Sequence, residues 1–353
     1  MQERFRRLAK ISLVLVYLVI AAGAIVRMTG SGMGCPDWPK CFGYYIPPTE
    51  VGQLQWQPDK EFEKGQVIIA DEALQVAKAD FRTGMEYTPE NWVPYTKHDY
   101  AIFNPWHTWI EFINRLFGAL AGLATLVLAV FSFRFWQTNK KITLFSWLVV
   151  LGMGFQAWLG ATVVYSVLAP AKITVHMVMA LVIVTLLIYL IHTTKKPSEG
   201  FIYQKKLGTW LLAALVVTMV QIILGTQVRH FVDERIDVVG ETANHLWLSD
   251  FDWSFYVHRS FSIAVVVLNL YLARQIWKHK LGFSKINWVL GLLAIEIATG
   301  ISMYYLDFPF ATQPVHLIIA SLLFGVQFYL VLEVLRAKTR HLKSSAQHPT
   351  PDL

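Results

Sequence analysis

Long apolar runs, separated by polar connections, dominate the chain. At least seven of these runs approach or exceed the ~20 residues that a helix needs to cross a lipid bilayer. The spans that the pattern predicts cover residues 9–27, 110–133, 144–168, 173–193, 207–229, 254–274, 286–305 and 314–335. We therefore predict an all-α integral membrane protein with eight transmembrane helices.

The composition supports this prediction. Charged residues make up 16% of the chain, hydrophobic residues 55%, and the mean hydropathy is +0.43, whereas soluble domains carry about 25% charged residues. The formal net charge is +7, but the basic residues are dispersed along the chain rather than gathered in one patch. The charge therefore points to a lipid bilayer and argues against a nucleic-acid partner.

Basic residues recur in alternate connections, and the short connections between them carry almost none. Because cytoplasmic loops are enriched in Lys and Arg, we expect both termini in the cytoplasm and the long loop 28–109 outside. The polar start is too short for a mitochondrial transit peptide, which favours a bacterial plasma (inner) membrane. The basic residues concerned are Arg4, Arg6, Arg7, Lys10, Arg134, Lys140, Lys141, Lys195, Lys196, Lys205, Lys206, Arg274, Lys278, Lys280, Lys285, Arg336, Lys338, Arg340 and Lys343.

Landmarks recur in the same order in the two halves of the chain. They pair Gly23 and Arg27 with Gly225 and Arg229, Asn114 and Arg115 with His258 and Arg259, and Gly160 and His176 with Gly300 and His316. We therefore predict two parallel, pseudo-symmetric four-helix bundles. They would comprise residues 1–200 and 201–340, followed by a cytoplasmic tail, 341–353.

The first external loop, 28–109, is the main asymmetry between the halves. Its middle part is polar and mixed in charge, and Asp71 to Lys78 is expected to form a short amphipathic helix outside the membrane. A lid, a docking surface and a spacer all remain open as its role.

Three histidines lie inside predicted spans, close to their external ends: His176, His258 and His316. Ionisable residues are costly there and are functional candidates. Since His258 and His316 occupy corresponding positions on neighbouring helices, they suit axial ligation of a haem iron across a bundle. The alternative is core histidines that bond to the backbone or to each other.

The first half differs at the position that corresponds to His258, where it has Asn114. Glu111 lies three residues earlier, on the same helix face. A carboxylate there could accept a proton, position a water or polarise a reacting group. Alternatively, Glu111 pairs with Arg115. His107, on the same face again, is either a displaced ligand or an interfacial residue in an aromatic belt.

Four arginines lie near the external ends of their helices. Guanidinium groups match the two propionates of a haem, although such residues also reach lipid headgroups. The four are Arg27, Arg115, Arg229 and Arg259.

The only cysteines of the sequence are Cys35 and Cys41, both in the external loop. An oxidising exterior permits a disulfide between them. A structural staple and a redox or thiol-transfer role both remain open.

Several of these motifs together resemble the haem A synthase family, over nearly the whole chain. Residues 27–41 (RMTGSGMGCPDWPKC) look like the stretch that ends the first helix in that family. The segment 111–115 (EFINR) is similar to its Glu-aromatic-x-His-Arg motif. Further similar segments are 156–160 with His176, 221–229, His258-Arg259 and His316.

This resemblance implies two four-helix bundles, with haem B held by His258 and His316 in the second. The first would bind haem O, oxidise its C8 methyl group through a hydroxymethyl to a formyl group, and release haem A. Glu111 would be the catalytic carboxylate, and Cys35 and Cys41 a redox-active or structural pair. A haem O synthase and cytochrome oxidase assembly factors are the implied partners, and the electron donor stays open.

The sequence departs from the family at Asn114, where the family usually places a haem-ligating histidine. We therefore expect substrate haem on His176, with Glu111 and Asn114 on the reacting side. An iron with one imidazole keeps a position open for oxygen or another oxidant.

Three other functions compete with this interpretation. The main one is a di-haem electron-transfer protein of cytochrome b type, which would normally need two complete histidine pairs. A thiol–quinone oxidoreductase would usually need two cysteine pairs. A transporter is the third, since parallel repeats are common among transporters.

Overall fold

The computed structural model describes residues 1–196, 200–249 and 253–347. Within these residues, eight helices are long and apolar enough to cross a membrane, which confirms the predicted architecture. They are α1 (Gln2–Met28), α2 (Pro105–Ser132), α3 (Lys140–Tyr165), α4 (Pro170–Thr193), α5 (Lys205–Val239), α6 (Trp253–Lys278), α7 (Ile286–Tyr305) and α8 (Thr312–Gln347). The end of the predicted tail, 348–353, lies outside the described residues.

Two helices continue well past the apolar spans that predicted them. Helix α5 runs to Val239 and ends at Gly240, whose φ is 91° and whose N–H bonds to the Ile236 carbonyl at 2.8 Å. Helix α8 runs to Gln347, into the predicted tail. The α8 extension is mostly polar, and the α5 extension mixes charged with apolar residues. Hydropathy marks the part of a helix that crosses lipid, so it does not mark where such a helix ends.

The four helices of the second half form a bundle. Helix α5 packs against α6 and α8, and α7 packs against the same two helices. The interior also holds a polar pair, in which Gln327 Nε2 donates to the side-chain oxygen Oδ1 of Asn269 at 3.1 Å. The buried apolar residues of this bundle include Val265, Leu272, Val289, Leu293, Leu323 and Leu330.

By compactness, the described chain divides into two units. One comprises residues 1–17, 124–150 and 178–353, and therefore contains the whole second bundle. The other comprises residues 18–123 and 151–177, which include the α1–α2 loop and the adjoining ends of α1 to α4. The division at residue 200 follows the sequence repeat instead, and it stays a prediction.

The α1–α2 loop contains five β-strands, so the helix predicted at Asp71 to Lys78 is wrong. The strands are β1 (Glu61–Phe62), β2 (Val67–Ala70), β3 (Ala73–Ala77), β4 (Phe81–Arg82) and β5 (Trp92–Pro94). Strands β2, β3 and β5 form one antiparallel sheet, and β1 pairs with β4. Asp71 and Glu72 turn between β2 and β3 with φ of 51° and 60°, as in a two-residue hairpin turn.

Alternation along β2 and β3 explains why this segment is extended. Successive side chains of a strand point to opposite faces, and here each face meets an apolar cluster. Val67 and Leu74 pack with Phe42 and the two cysteines on one face, whereas Ile68 packs on the other in a cluster with Phe62, Ala77 and Trp92. Both faces of the sheet are therefore covered within the loop.

Candidate functional site

The repeated landmarks meet in space within each half. At four places, a glycine of an odd-numbered helix lies against the residue at the predicted ligand position of the next helix. A Cβ built on the glycine would lie 3.1 to 3.9 Å from that residue. The pairs are Gly23 with Asn114, Gly160 with His176, Gly225 with His258, and Gly300 with His316. Asn114 therefore occupies the place in the first half that His258 occupies in the second.

The second bundle brings two imidazoles together. The ring centres of His258 and His316 lie 6.5 Å apart, with 71° between the ring planes. Metal–imidazole bonds of about 2 Å, with each nitrogen about 1.1 Å from its ring centre, place two rings on opposite sides of one ion roughly 6 Å apart. The spacing thus fits two axial ligands of one iron.

In the described part of the chain, polar atoms without hydrogen-bond partners lie at three of the candidate ligand positions, which fits a site that would hold a metal or cofactor. Among the described residues, His176 Nδ1, His258 Nδ1 and Asn114 Oδ1 are buried and lack a hydrogen-bond partner. Buried polar atoms normally have one. The protein therefore leaves polar atoms unpaired at three of the four candidate ligand positions that the structure describes.

Two glutamines hold the backbone beside two of the histidines. Gln156 Nε2 donates to the carbonyl of His176 at 3.0 Å, and Gln221 Nε2 donates to the carbonyl of His258 at 3.0 Å. Each glutamine lies four residues before the glycine that faces its histidine. The two halves therefore share this contact as well as the four-residue separation between the glutamine and the glycine.

Glu111, predicted as a catalytic carboxylate, is 4% exposed and bonded at both oxygens. Arg115 Nη2 donates to its Oε1 at 2.5 Å, and the Cys35 N–H donates to its Oε2 at 2.8 Å. The ion pair with Arg115 is the alternative that the sequence left open. Each carboxylate oxygen has a second lone pair, so these bonds leave acceptor capacity for a water or a substrate group.

Arg115 organises the disulfide-containing segment. Its Nη1 donates to the Asp37 carbonyl at 2.7 Å and to the Lys40 carbonyl at 2.9 Å, and its Nη2 reaches the Cys35 carbonyl at 3.3 Å. Together with the Glu111 bond, these contacts engage both terminal nitrogens of the guanidinium. The propionate role that the sequence predicts for Arg115 therefore stays a prediction, with its donors directed elsewhere.

Cys35 and Cys41 form a disulfide, with Cα atoms 4.8 Å apart. The two residues are 0% and 1% exposed. A thiol-transfer partner would first have to open this segment, so the burial favours the structural alternative.

Asp37 forms hydrogen bonds to the backbone of the same segment. Its carboxylate accepts the N–H groups of Phe42 at 2.5 Å and Gly43 at 2.8 Å. Burial raises the pKa of Asp37, and these bonds together with the charge of Arg115 oppose that rise. Tyr95 donates to the Pro36 carbonyl at 2.7 Å, and burial followed by the nearby Asp37 charge raises the pKa of Tyr95.

Gly34 lets this segment lie directly on the first turn of α2. A Cβ at Gly34 would collide with the His107 carbonyl and lie 2.7 Å from the Thr108 nitrogen. Thr108 Oγ1 also donates to the Gly34 carbonyl at 2.7 Å.

We expect Gly34→Ala to lower the free energy of unfolding by about 1–3 kcal/mol, the usual cost of overpacking. The measurement is thermal unfolding in detergent together with the rate of proteolysis of the α1–α2 loop. Gly84→Ala is the matched control, since no atom lies within 4 Å of a Cβ there. Equal stability of the two variants would contradict the close approach.

Arg27, Arg259 and His107 lie near helix ends, whereas Arg229 lies ten residues before the end of α5, because this helix continues past its apolar span. Arg229 forms an ion pair with Asp233 at 2.7 Å, and the Arg259 guanidinium lies 5.7 Å from the centre of the Tyr304 ring. Arg27 is in the last turn of α1. His107 lies in the first turn of α2, beside the 78% exposed Trp106, which agrees with the interfacial alternative.

Sequence reasoning missed Glu296 and Thr299 on α7. Glu296 Oε2 lies 3.2 Å from His316 Nδ1, and Thr299 Oγ1 lies 2.8 Å from the same nitrogen. A carboxylate inside a membrane span is itself a functional signal, and it lay inside the predicted span 286–305. The clue was therefore present.

The fold and the site together define an eight-helix membrane protein with one candidate ligand position on each even-numbered helix. Comparison with known families is specific: the family model of the COX15-CtaA cytochrome oxidase assembly proteins matches residues 6–328. The chain belongs to this family.

Its relatives include proteins named heme A synthase. That of Bacillus licheniformis is 23% identical over 95% of this chain and 98% of its own length, and that of Rickettsia prowazekii is 24% identical over 92% and 96%. That of Shewanella oneidensis is 28% identical over 62% of this chain. This last match spans 54% of the Shewanella protein, about half its length.

Proposed function

We propose that this protein is a haem A synthase, a membrane oxidoreductase that converts haem O to haem A. It would oxidise the C8 methyl group through a hydroxymethyl to a formyl group. The family membership and the named relatives support haem A synthesis. The observation that carries the finer proposal is the asymmetry between the halves, with two facing imidazoles in the second and one imidazole with an amide in the first.

The second half would retain haem B on His258 and His316. When bound, haem B supplies a centre for one-electron transfer. The protein's part is to hold the two rings at a ligand spacing and to exclude water with the apolar bundle around them. Arg229 and Arg259 stay candidates for the propionates.

The first half would bind haem O as substrate through His176. Asn114 places an amide at the position where the second half has an imidazole, so one coordination position of the substrate would stay open. Conversion of a methyl to a formyl group is a four-electron oxidation. With one dioxygen it yields the formyl group and one water. With another external oxidant, water would supply the oxygen while the oxidant accepts four electrons and four protons are released. Glu111 would accept a proton or position a water, using the lone pairs that Arg115 and Cys35 leave available.

The proposal includes a location in the cell. We place the protein in a bacterial inner membrane with both termini in the cytoplasm and the α1–α2 loop outside, as the distribution of Lys and Arg predicts. A haem O synthase and cytochrome oxidase assembly factors are the expected partners. An external electron donor or acceptor completes the reaction.

Co-expression with a haem O synthase tests the function. Chromatography of extracted haems is expected to detect haem A with the wild-type chain. Glu111→Gln is expected to lower haem A at least about a hundredfold, the range of general acid–base catalysis, while haem O accumulates. Glu90→Gln, which changes an exposed carboxylate of the loop, is the matched control.

The outcomes separate the parts of the proposal. Absence of haem A with the wild-type chain would refute the synthase. Full haem A production by Glu111→Gln would refute only the role of that carboxylate. Haem B without haem O or haem A would favour the electron-transfer alternative, which the facing histidines of the second half also fit.

A further inference from the structure

One predicted ligand, His316, has a ring nitrogen in contact with side chains of α7. Its Nδ1 faces two oxygens of α7, Thr299 Oγ1 at 2.8 Å and Glu296 Oε2 at 3.2 Å. In contrast, Nδ1 of His258 is buried and has no hydrogen-bond partner among the described residues, while its Nε2 lies 3.5 Å from Gln221 Nε2. The two imidazoles of the second bundle are therefore unequal.

The contacts of Thr299 define the tautomer of His316. The Thr299 hydroxyl donates to the Ile295 carbonyl at 2.9 Å or the Glu296 carbonyl at 3.1 Å, so its proton is directed to the backbone. Thr299 Oγ1 then accepts from the ring, and Glu296 Oε2 lies within reach of the same N–H. Thr299 therefore favours a proton on Nδ1, which leaves a lone pair on Nε2 for a metal.

The internal repeat shows that Glu296 is a substitution within a shared pattern. Gln156, Gln221 and Glu296 each lie four residues before the glycine that faces a histidine. The two glutamines donate to the backbone carbonyl of their histidine, whereas Glu296 approaches the ring. A carboxylate here takes the place of a neutral amide.

Burial makes a carboxylate at this position costly, so we expect it to have a role. The Glu296 side chain is 14% exposed, and its Oε1 is buried with no hydrogen-bond partner among the described residues. Carboxylates within membrane spans are rare and usually functional. Carboxylate partners of metal-ligating histidines fix the ring and increase the basicity of the ligand.

We propose that Glu296 and Thr299 are positioning residues that hold His316 in one tautomer and make it the stronger electron donor of the two axial ligands. This inference rests on the proposed haem B site. A more basic ligand stabilises ferric over ferrous iron, so the pair lowers the midpoint potential of haem B.

The test is a redox titration of purified protein from a host without a haem O synthase, with haem quantified by its pyridine haemochrome. We expect Glu296→Gln to shift the ferric-to-ferrous preference about tenfold, which is about 59 mV more positive for one electron. Thr299→Val should shift the potential in the same direction, and Thr299→Ser should restore it. The matched control is Glu333→Gln, which removes a buried carboxylate that pairs with Lys285 at 2.7 Å.

Each outcome is decisive. Unchanged potentials in both Glu296→Gln and Thr299→Val, with full haem content, would overturn the inference and leave the haem site intact. If Glu296→Gln loses its haem, the potential of Thr299→Val decides in the same way. A wild-type chain that binds no haem B would refute the proposed function instead.

Discussion

Replacement of both His258 and His316 by alanine is expected to remove the resident haem B almost completely. Their ring centres lie 6.5 Å apart, and the double variant removes both metal bonds while the apolar bundle keeps its shape. Pyridine haemochrome spectra of protein expressed without a haem O synthase should show at least a tenfold loss of haem per chain, about 1.4 kcal/mol or more of binding free energy.

The controls for this variant lie in the same half. His279→Ala changes an exposed histidine just after α6 and should retain its haem. Thermal unfolding must show that the double variant still folds. A folded double variant with a full complement of haem would refute the assignment of these two ligands.

The helices could be predicted from the sequence because each is a local apolar run, and the approach of His258 to His316 because landmarks recur in the two halves. Eight apolar runs predicted eight helices, and the matched landmarks predicted that His258 and His316 face each other. The glycines at the facing positions explain how these side chains fit between the helices. Each one leaves room for an imidazole, or in the first half for the amide of Asn114.

The fold of the α1–α2 loop could not be predicted in the same way. Strand β3 has five residues and its turn is Asp71-Glu72, without the Asn-Gly or Asp-Gly pair that usually marks a two-residue hairpin. Its mixed polarity therefore resembled an amphipathic helix. Both of its faces are covered by apolar clusters, and this removes the single polar face that a sequence pattern would show.

Of the two contacts of Glu111, one could be predicted from the sequence and one could not. Its ion pair with Arg115 follows from helical spacing and was one of the stated alternatives. Its bond to the Cys35 N–H joins residues 76 positions apart, and no periodicity reports such a contact. This bond links Glu111 to the disulfide segment. A substitution in the α1–α2 loop and a substitution of Glu111 can therefore have similar effects.

Asn114→His gives the second large effect, because it would complete the ligand pair of the first half. Gly23 already faces this position, with a Cβ placed 3.9 Å from Asn114 Oδ1, as Gly225 faces His258. We expect bound haem O to change from high-spin with one imidazole to low-spin with two, and to bind at least about tenfold more tightly. Absorption spectra and haem retention measure this.

Asn114→Ala is the matched control for that change, since it removes the amide but supplies no ligand, and its haem O should stay high-spin. His176→Ala should abolish the low-spin spectrum of the Asn114→His protein, because the new imidazole then has no partner. The spin state matters more here than activity, since it reports directly on what ligates the substrate iron. A folded Asn114→His protein that binds haem O but remains high-spin would mean that position 114 does not reach the iron, and that the open coordination position has another cause.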